Sequence, residues 1–174
     1  MVKTAETDQA AEFDVIVIGG GTVGGTLAAA LGGAGVSVAV IEAGTPEAQT
    51  KPEFDGRASA IAAASQAVLA AVGLWPLIAP VAEQILDIRV TDGHSPLFLH
   101  YDHRDLGLGP LGYMVENRTT RRALFERLGG LDTVTMLTGR RVIALERDTA
   151  WATATLDDGT RVRGRLAGAT DGFP

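Results

Sequence analysis

A glycine pattern set between two short apolar runs is the feature of this sequence that most limits its fold. Residues 15–18 are β-branched and bounded by glycine, which is typical of a strand buried on both faces. Residues 22–31 are rich in alanine and leucine and predict a helix, and residues 36–41 predict a second buried strand. A strand, a helix and a strand within so few residues form a βαβ unit. We therefore expect two parallel strands joined by a right-handed crossover.

The turn between the first strand and the helix carries the glycine spacing Gly19-x-Gly21-x-x-Gly24. Gly19 permits the tight turn, Gly21 lets a pyrophosphate approach the backbone, and Gly24 lets the helix pack against the sheet. Thr22 and Val23 begin the helix, whose N-terminus offers free N–H groups and a partial positive charge to phosphates. The pattern predicts a dinucleotide site, and the alternative interpretation is a glycine-rich loop without a ligand.

Glu42 ends the second predicted strand, about twenty residues after the glycines, which is the spacing expected of a dinucleotide site. A carboxylate there accepts hydrogen bonds from a ribose hydroxyl, and its charge disfavours a 2′-phosphate on the same ribose. The motif alone does not choose between FAD and NAD.

Composition excludes several other classes of function. The 174 residues carry a formal net charge of −6 and no basic stripe, so nucleic acid is not an expected partner. The absence of cysteine excludes disulfides and thiolate chemistry. Three histidines, His94, His100 and His103, occupy one segment without ligand spacing, and we predict surface residues and no metal site. Because no signal peptide or membrane span is recognised, we expect a cytoplasmic protein.

The rest of the chain alternates predicted helices, strands and loops. Residues 1–12 are predicted to form a disordered tail, followed by one folded domain over 13–174. Predicted helices cover 57–73, 75–84 and 118–128, and predicted loops cover 43–56 and 102–111. Predicted strands are a hairpin at 85–91 and 96–101, single strands at 112–116 and 133–137, a meander at 141–147, 151–156 and 160–166, and a last strand at 166–170.

Four stretches carry a specific resemblance. They are the glycine motif with Glu42, residues 55–61 (Asp-Gly-Arg-Ala-Ser-Ala-Ile), residues 112–118 (Gly-Tyr-Met-Val-Glu-Asn-Arg), and residues 166–172, which end in Asp171-Gly172. With them the chain resembles the N-terminal half of the flavin-dependent aromatic hydroxylases, most closely the ubiquinone-biosynthesis hydroxylases of the 2-polyprenyl-6-methoxyphenol type. The resemblance implies an α/β fold with a Rossmann-like FAD-binding domain, a parallel sheet and a β-meander. Residues 85–116 would be the first part of an incomplete substrate-covering sheet.

The resemblance also implies FAD as the cofactor, bound by Gly19, Gly21, Thr22, Val23, Gly24, Glu42, Arg57, Arg118, Val142 and Asp171. Arg57 would lie near the flavin and pyrophosphate, Arg118 would reach the pyrophosphate, and the backbone near Val142 would meet the adenine. Arginine suits a diphosphate because its fork forms charge-assisted hydrogen bonds. The alternatives are a solvated Arg57 near a helix start and an ordinary charged helix face around Arg118.

For function, the resemblance implies a FAD-dependent monooxygenase that hydroxylates a polyprenylated phenol in ubiquinone biosynthesis, with NADPH or NADH as electron donor. No catalytic acid or base is assigned. Peripheral association with the inner membrane or with a biosynthetic complex stays open, as does the oligomeric state. Two alternatives are a non-catalytic FAD- or ADP-binding module and an NAD-dependent dehydrogenase.

The sequence departs from the family pattern in two places. Ala169 stands where the family usually has a glycine, two residues before Asp171, which would hold a ribose or a pyrophosphate-bound water. The sequence also stops at Pro174, before the family's second flavin motif. The expectation is therefore a truncated N-terminal part that binds FAD weakly at best and does not hydroxylate.

Overall fold

The computed structural model describes residues 10–51, 56–93, 97–107 and 109–170. In the first part of the chain the elements are β1 (Ala11–Ile18), α1 (Thr22–Gly33), β2 (Val38–Glu42), α2 (Pro46–Gln49), β3 (Ala58–Ala62), α3 (Ala63–Ala71), α4 (Trp75–Ile78) with a 3-10 turn (Ala79–Val81), β4 (Glu83–Ile85) and β5 (Asp87–Val90). They continue with β6 (Leu99–Asp102), α5 (His103–Leu106), β7 (Gly112–Glu116), α6 (Asn117–Gly129), β8 (Val134–Thr138), β9 (Val142–Arg147), β10 (Ala152–Leu156) and β11 (Arg161–Ala169).

These elements form two compact units. The first unit combines the described residues up to Thr50 with those from Leu124 onward, and the second unit spans the described residues from Lys51 to Ala123. Among the described residues, the first unit holds one sheet and the second unit holds two.

The first unit is built on a six-stranded sheet in the order β8-β2-β1-β11-β10-β9. Strands β8, β2, β1 and β11 are parallel, with Val15 opposite Val38 and Ile18 opposite Ile41. Strands β9, β10 and β11 form an antiparallel meander. The predicted α/β class, with a parallel βαβ unit and a meander, is therefore confirmed.

Alternate residues of β1 pack on opposite faces of this sheet, as the period of a strand requires. Ile16 and Ile18 join a buried cluster with residues of β2 and of the meander: Ala39, Ile41, Val142, Ala154, Leu156 and Val162. Val17 faces α1, because a Cβ placed on Gly24 would lie 3.0 Å from its Cγ1. Strand β1, which leads into the glycine turn, is thus packed on both faces. Burying each such aliphatic side chain contributes about 1.5–3 kcal/mol to folding.

Two predicted boundaries in the first unit were wrong. The strands predicted at 160–166 and 166–170 are one strand, β11, which pairs with β1 on one side and β10 on the other. Gly164 lies inside β11, and a Cβ there would come within 2.9 Å of Ile16 Cγ1, so glycine fits this close approach to β1. Strand β1 begins at Ala11, within the predicted tail, and the Glu12 carboxylate accepts a hydrogen bond from Arg163 Nε at 3.1 Å. Residues 1–9 lie outside the described part of the chain.

The second unit contains the antiparallel sheet β3-β7-β4 and the separate hairpin β5-β6. The hairpin is antiparallel as predicted, with Asp87 opposite Asp102. The helix predicted at 57–73 is wrong in its first part, which is β3. The alanines of β3 pair with β7 along their whole length, and this pairing overrides their helix propensity.

Smaller differences concern short elements. The helix predicted at 75–84 ends at Ile78, followed by the 3-10 turn and β4. The predicted loops at 43–56 and 102–111 contain the four-residue helices α2 and α5. Among the described helices no single one is long and apolar enough to cross a bilayer; α3 and α4 with its 3-10 turn pass that test only as a bent pair.

Candidate functional site

The turn between β1 and α1 depends on two glycines for its shape. Gly19 has φ +97°, in the left-handed region that favours glycine, and its N–H donates to the carbonyl of Ile41 at 2.8 Å. A Cβ on Gly24 would lie 1.9 Å from the carbonyl oxygen of Gly19. Any side chain at Gly24 would therefore push α1 away from the turn.

Gly21 has a different environment from Gly19 and Gly24. Its φ is −66° and no described atom lies within 4 Å of a Cβ built on it, so the space beside it is open. It precedes the exposed residues Thr22 and Val23. The first N–H groups of a helix have no intrahelical acceptor, and the helix dipole adds a partial positive charge there. The open side of Gly21 is thus a place where an anion fits.

The carboxylate of Glu42 lies directly beside this turn. Its Oε2 accepts a hydrogen bond from the N–H of Gly20 at 2.7 Å. Its Oε1 accepts from the N–H of Gly44 at 2.8 Å and from Nε2 of Gln49 at 2.9 Å. A carboxylate oxygen accepts about two hydrogen bonds, so Oε2 keeps capacity for one more donor. A ribose hydroxyl is such a donor, and the site residues present fit the adenosine end of a dinucleotide.

The end of β11 supplies a further residue that the sequence did not reveal. Thr170 donates its backbone N–H to the carbonyl of Ile18 at 2.9 Å. Its hydroxyl lies 2.9 Å from the carbonyl oxygen of Gly19 and 3.1 Å from that of Ile18. The only sequence signal was its place next to Asp171, which lies outside the described residues.

Val142, predicted to meet the adenine, is the first residue of β9, and its side chain is buried in the cluster described above. The segment before it runs along the end of β2. The N–H of Arg140 donates to the carbonyl of Glu42 at 3.2 Å, and the N–H of Gly139 donates to that of Gly44 at 3.3 Å. The structure therefore brings the start of β9 to the same edge as Glu42.

The two predicted arginines belong to the second unit, where Arg57 directly precedes β3 and Arg118 is the second residue of α6. The carbonyl of Arg57 accepts a hydrogen bond from the N–H of Asn117 at 3.1 Å. Arg118 follows Asn117, and its Nε donates to Oε2 of Glu116 at 2.5 Å. Arg118 also lines a pocket of about 550 Å³ in this unit, together with Ala58, Val81, Glu83, Met114, Glu116, Thr119 and Arg122. The pocket therefore has a mixed charged and apolar lining.

The described histidines lie beside acidic side chains, His100 on β6 and His103 at the start of α5. His100 Nε2 is 2.7 Å from Asp87 Oδ1. Asp102, only 8% exposed, binds Arg104, whose hydrogen bonds hold the pKa of that carboxyl well below its ordinary value. Asp87, His100 and Asp102 are close enough to share a cation. Because Arg104 already supplies the positive charge at Asp102, we assign this cluster to ion pairing. His94 lies outside the described residues.

Comparison with known proteins identifies the class. Residues 12–173 match the family described as FAD binding domain, and this chain belongs to that family. The match confirms the flavin resemblance and selects FAD over NAD, the choice that the glycine motif left open.

The similarity to individual proteins is more specific than the family match. The chain is 52% identical over 97% of its length to ubiquinone hydroxylase UbiL of Rhodospirillum rubrum, and 34% identical over 91% to 3-demethoxyubiquinol 3-hydroxylase of Escherichia coli. It covers 39% and 41% of those two proteins. Among solved structures, p-nitrophenol 4-monooxygenase PnpA of Pseudomonas putida aligns with a TM-score of 0.74 and 27% identity, over 92% of this chain and 41% of that one. The chain thus spans about two fifths of the length of these relatives.

Proposed function

We propose that this chain is the FAD-binding part of a monooxygenase that hydroxylates a polyprenylated phenol in ubiquinone biosynthesis. The 52% identity to the Rhodospirillum rubrum ubiquinone hydroxylase, over 97% of the chain, carries the proposal. The glycine turn with Glu42 at its side is the geometry that supports it.

The proposed roles follow from the groups in the first unit. Oε2 of Glu42 accepts a ribose hydroxyl of the adenosine end. The backbone at Gly21 and the N–H groups of Thr22 and Val23 receive the pyrophosphate, because α1 begins there with an open approach. The backbone near Val142 takes the adenine.

Three further roles are carried from the sequence resemblance. Arg57 and Arg118 are proposed to neutralise the pyrophosphate, a task for which a guanidinium is suited by charge and shape. Asp171 is proposed to hold a ribose hydroxyl or a pyrophosphate-bound water.

Bound FAD, once reduced, would supply the oxygen chemistry, in which one atom of O₂ is transferred to an electron-rich ring and the other leaves as water. A nicotinamide cofactor is the proposed electron donor. This chain's residues contribute binding and orientation, and we assign none of the described side chains as a catalytic acid or base. The proposed substrate is a small aromatic molecule, and more narrowly a polyprenylated phenol. The names of two relatives, a ubiquinone hydroxylase and a 3-demethoxyubiquinol 3-hydroxylase, support this proposal.

A chimeric protein tests this proposal. The aligned N-terminal part of the Rhodospirillum rubrum ubiquinone hydroxylase is replaced by residues 1–174 and expressed in a strain that lacks the native gene. We expect ubiquinone to be restored. Restoration should disappear with Gly21→Val and persist with Gly33→Val, which places the same side chain at the other end of α1, where the nearest atom to a Cβ is 3.7 Å away.

The outcomes separate the candidate functions. A chimera that accumulates but restores no ubiquinone contradicts the proposal. If that chimera still contains FAD, the result favours the non-catalytic FAD-binding module.

A further inference from the structure

We infer that Thr170 is a positioning residue for the nucleotide site, because its hydroxyl fixes one side of the peptide unit that joins Gly19 and Gly20. The inference rests on the proposed nucleotide binding. It concerns a residue outside the glycine motif, 151 positions from Gly19 along the chain.

The peptide unit between Gly19 and Gly20 is held from both sides. Its carbonyl oxygen lies 2.9 Å from the hydroxyl of Thr170, and its N–H donates to Oε2 of Glu42 at 2.7 Å. A peptide unit is planar, so fixing its C=O and its N–H fixes the orientation of the whole plane. Thr170 and Glu42 therefore act together as a clamp on this plane.

The clamp matters because the residues on either side of it are glycines. Gly19 has φ +97°, and Gly20 and Gly21 follow without a Cβ to restrict their torsions. The direction in which the backbone presents Gly21 and the start of α1 to a phosphate depends on the plane that Thr170 holds. Thr170 is itself anchored, since its backbone N–H donates to the carbonyl of Ile18 at 2.9 Å.

The space around the hydroxyl is filled by the turn. A Cβ on Gly24 would come within 2.5 Å of Thr170 Oγ1, so the side chain lies directly below the first turn of α1. A methyl group in place of this hydroxyl, as in Thr170→Val, keeps the shape but removes the donor. The carbonyl of Gly19 then loses its hydroxyl donor, and the plane is held only from the side of Glu42.

Thr133 offers a matched control in the same unit. Its hydroxyl donates to the carbonyl of Gly32 at 2.8 Å, near the opposite end of α1 from the glycine turn. Thr133→Val removes a hydrogen bond of the same kind at a position away from the proposed phosphate site. The two variants should lose similar thermal stability, and only the effect on the ligand should differ.

The test is an ADP titration by calorimetry on four proteins, the wild type, Thr170→Val, Thr170→Ser and Thr133→Val. Loss of one hydrogen bond predicts an affinity about 3- to 10-fold lower for Thr170→Val. Thr170→Ser should stay close to the wild type because it keeps the hydroxyl, and Thr133→Val should match the wild type. If Thr170→Val does not fold, Thr170→Ala takes its place.

A second measurement separates this inference from the proposed function. Amide hydrogen exchange at Gly20, measured without ligand, should be faster in Thr170→Val than in the wild type and unchanged in Thr133→Val. Unchanged exchange, or equal ADP affinity in Thr170→Val and the wild type, overturns the inference while nucleotide binding stands. A wild-type protein that does not bind ADP overturns the proposed function, and the exchange result still decides whether the clamp exists.

Discussion

The Oε2 atom of Glu42 accepts a hydrogen bond from the N–H of Gly20 at 2.7 Å, across 22 positions of sequence. One residue ends β2 and the other lies in the turn after β1, so the bond joins the carboxyl ends of two adjacent parallel strands. Ligands of doubly wound sheets bind at that edge. The contact therefore places the acid that we propose to bind a ribose beside the backbone that we propose to bind phosphates.

Glu42→Gln should weaken nucleotide binding and destabilise the first unit. Three donors face the carboxylate, so the NH₂ group of a glutamine must point at one of them whichever way the amide turns. An NH₂ group that faces another N–H donor leaves both without an acceptor, which costs about 1–3 kcal/mol of folding free energy. Thermal unfolding and ADP calorimetry measure the two effects.

Repeating the titration with 2′-deoxy-ADP separates the proposed hydrogen bond between the ribose 2′-hydroxyl and Glu42 from the other effects of the substitution. The affinity loss caused by Glu42→Gln should be smaller for this ligand than for ADP. Glu146→Gln, at a side chain that is 74% exposed, is the control. Equal losses with both ligands would argue against a hydrogen bond from the 2′-hydroxyl to Glu42.

Gly24→Ala should destabilise the protein. The added methyl would lie 1.9 Å from the carbonyl oxygen of Gly19, which is backbone and cannot swing away. Overpacking of this kind costs about 1–3 kcal/mol. The measurement is the midpoint of thermal unfolding, with Gly33→Ala in the same helix as the control. A midpoint for Gly24→Ala equal to that of the wild type would contradict the close packing of α1 on the turn.

Three parts of the chain show how much of the structure local sequence patterns could predict. Residues 15–41 were predictable because apolar runs and glycine spacing act over short distances. Strand β3 was not predictable, because its alanines favour a helix by local propensity and only the pairing with β7 makes them a strand. The role of Thr170 depends on a contact with Gly19 that only the folded sheet creates, so no local pattern marks it.

Acid should weaken the second unit through Asp102. Hydrogen bonds from Arg104 lower the pKa of this carboxyl from its ordinary value of 3.8. A lowered folded-state pKa gives stability that is complete above the unfolded value and is lost as the pH falls below it. Asp102→Asn should therefore be less stable at pH 7 and show a flatter loss of stability below about pH 4.

Chemical denaturation at several pH values measures the effect of Asp102→Asn. Asp132→Asn, at an exposed position in the first unit, is the control and should keep the wild-type pH profile. A profile for Asp102→Asn that parallels the wild type down to the lowest pH would show that the pair with Arg104 adds no pH-dependent stability.

The most direct test of the nucleotide site is the titration of the purified chain with ADP by calorimetry, on the wild type, Gly21→Val and Gly33→Val. The side chain of Gly21→Val projects into space that no described atom occupies, so the fold should persist while the phosphate approach is blocked. The proposed phosphate approach at Gly21 predicts saturable binding to the wild type and to Gly33→Val, and an affinity at least about tenfold lower, or 1.4 kcal/mol, for Gly21→Val. Equal affinities for the wild type and a folded Gly21→Val would contradict it.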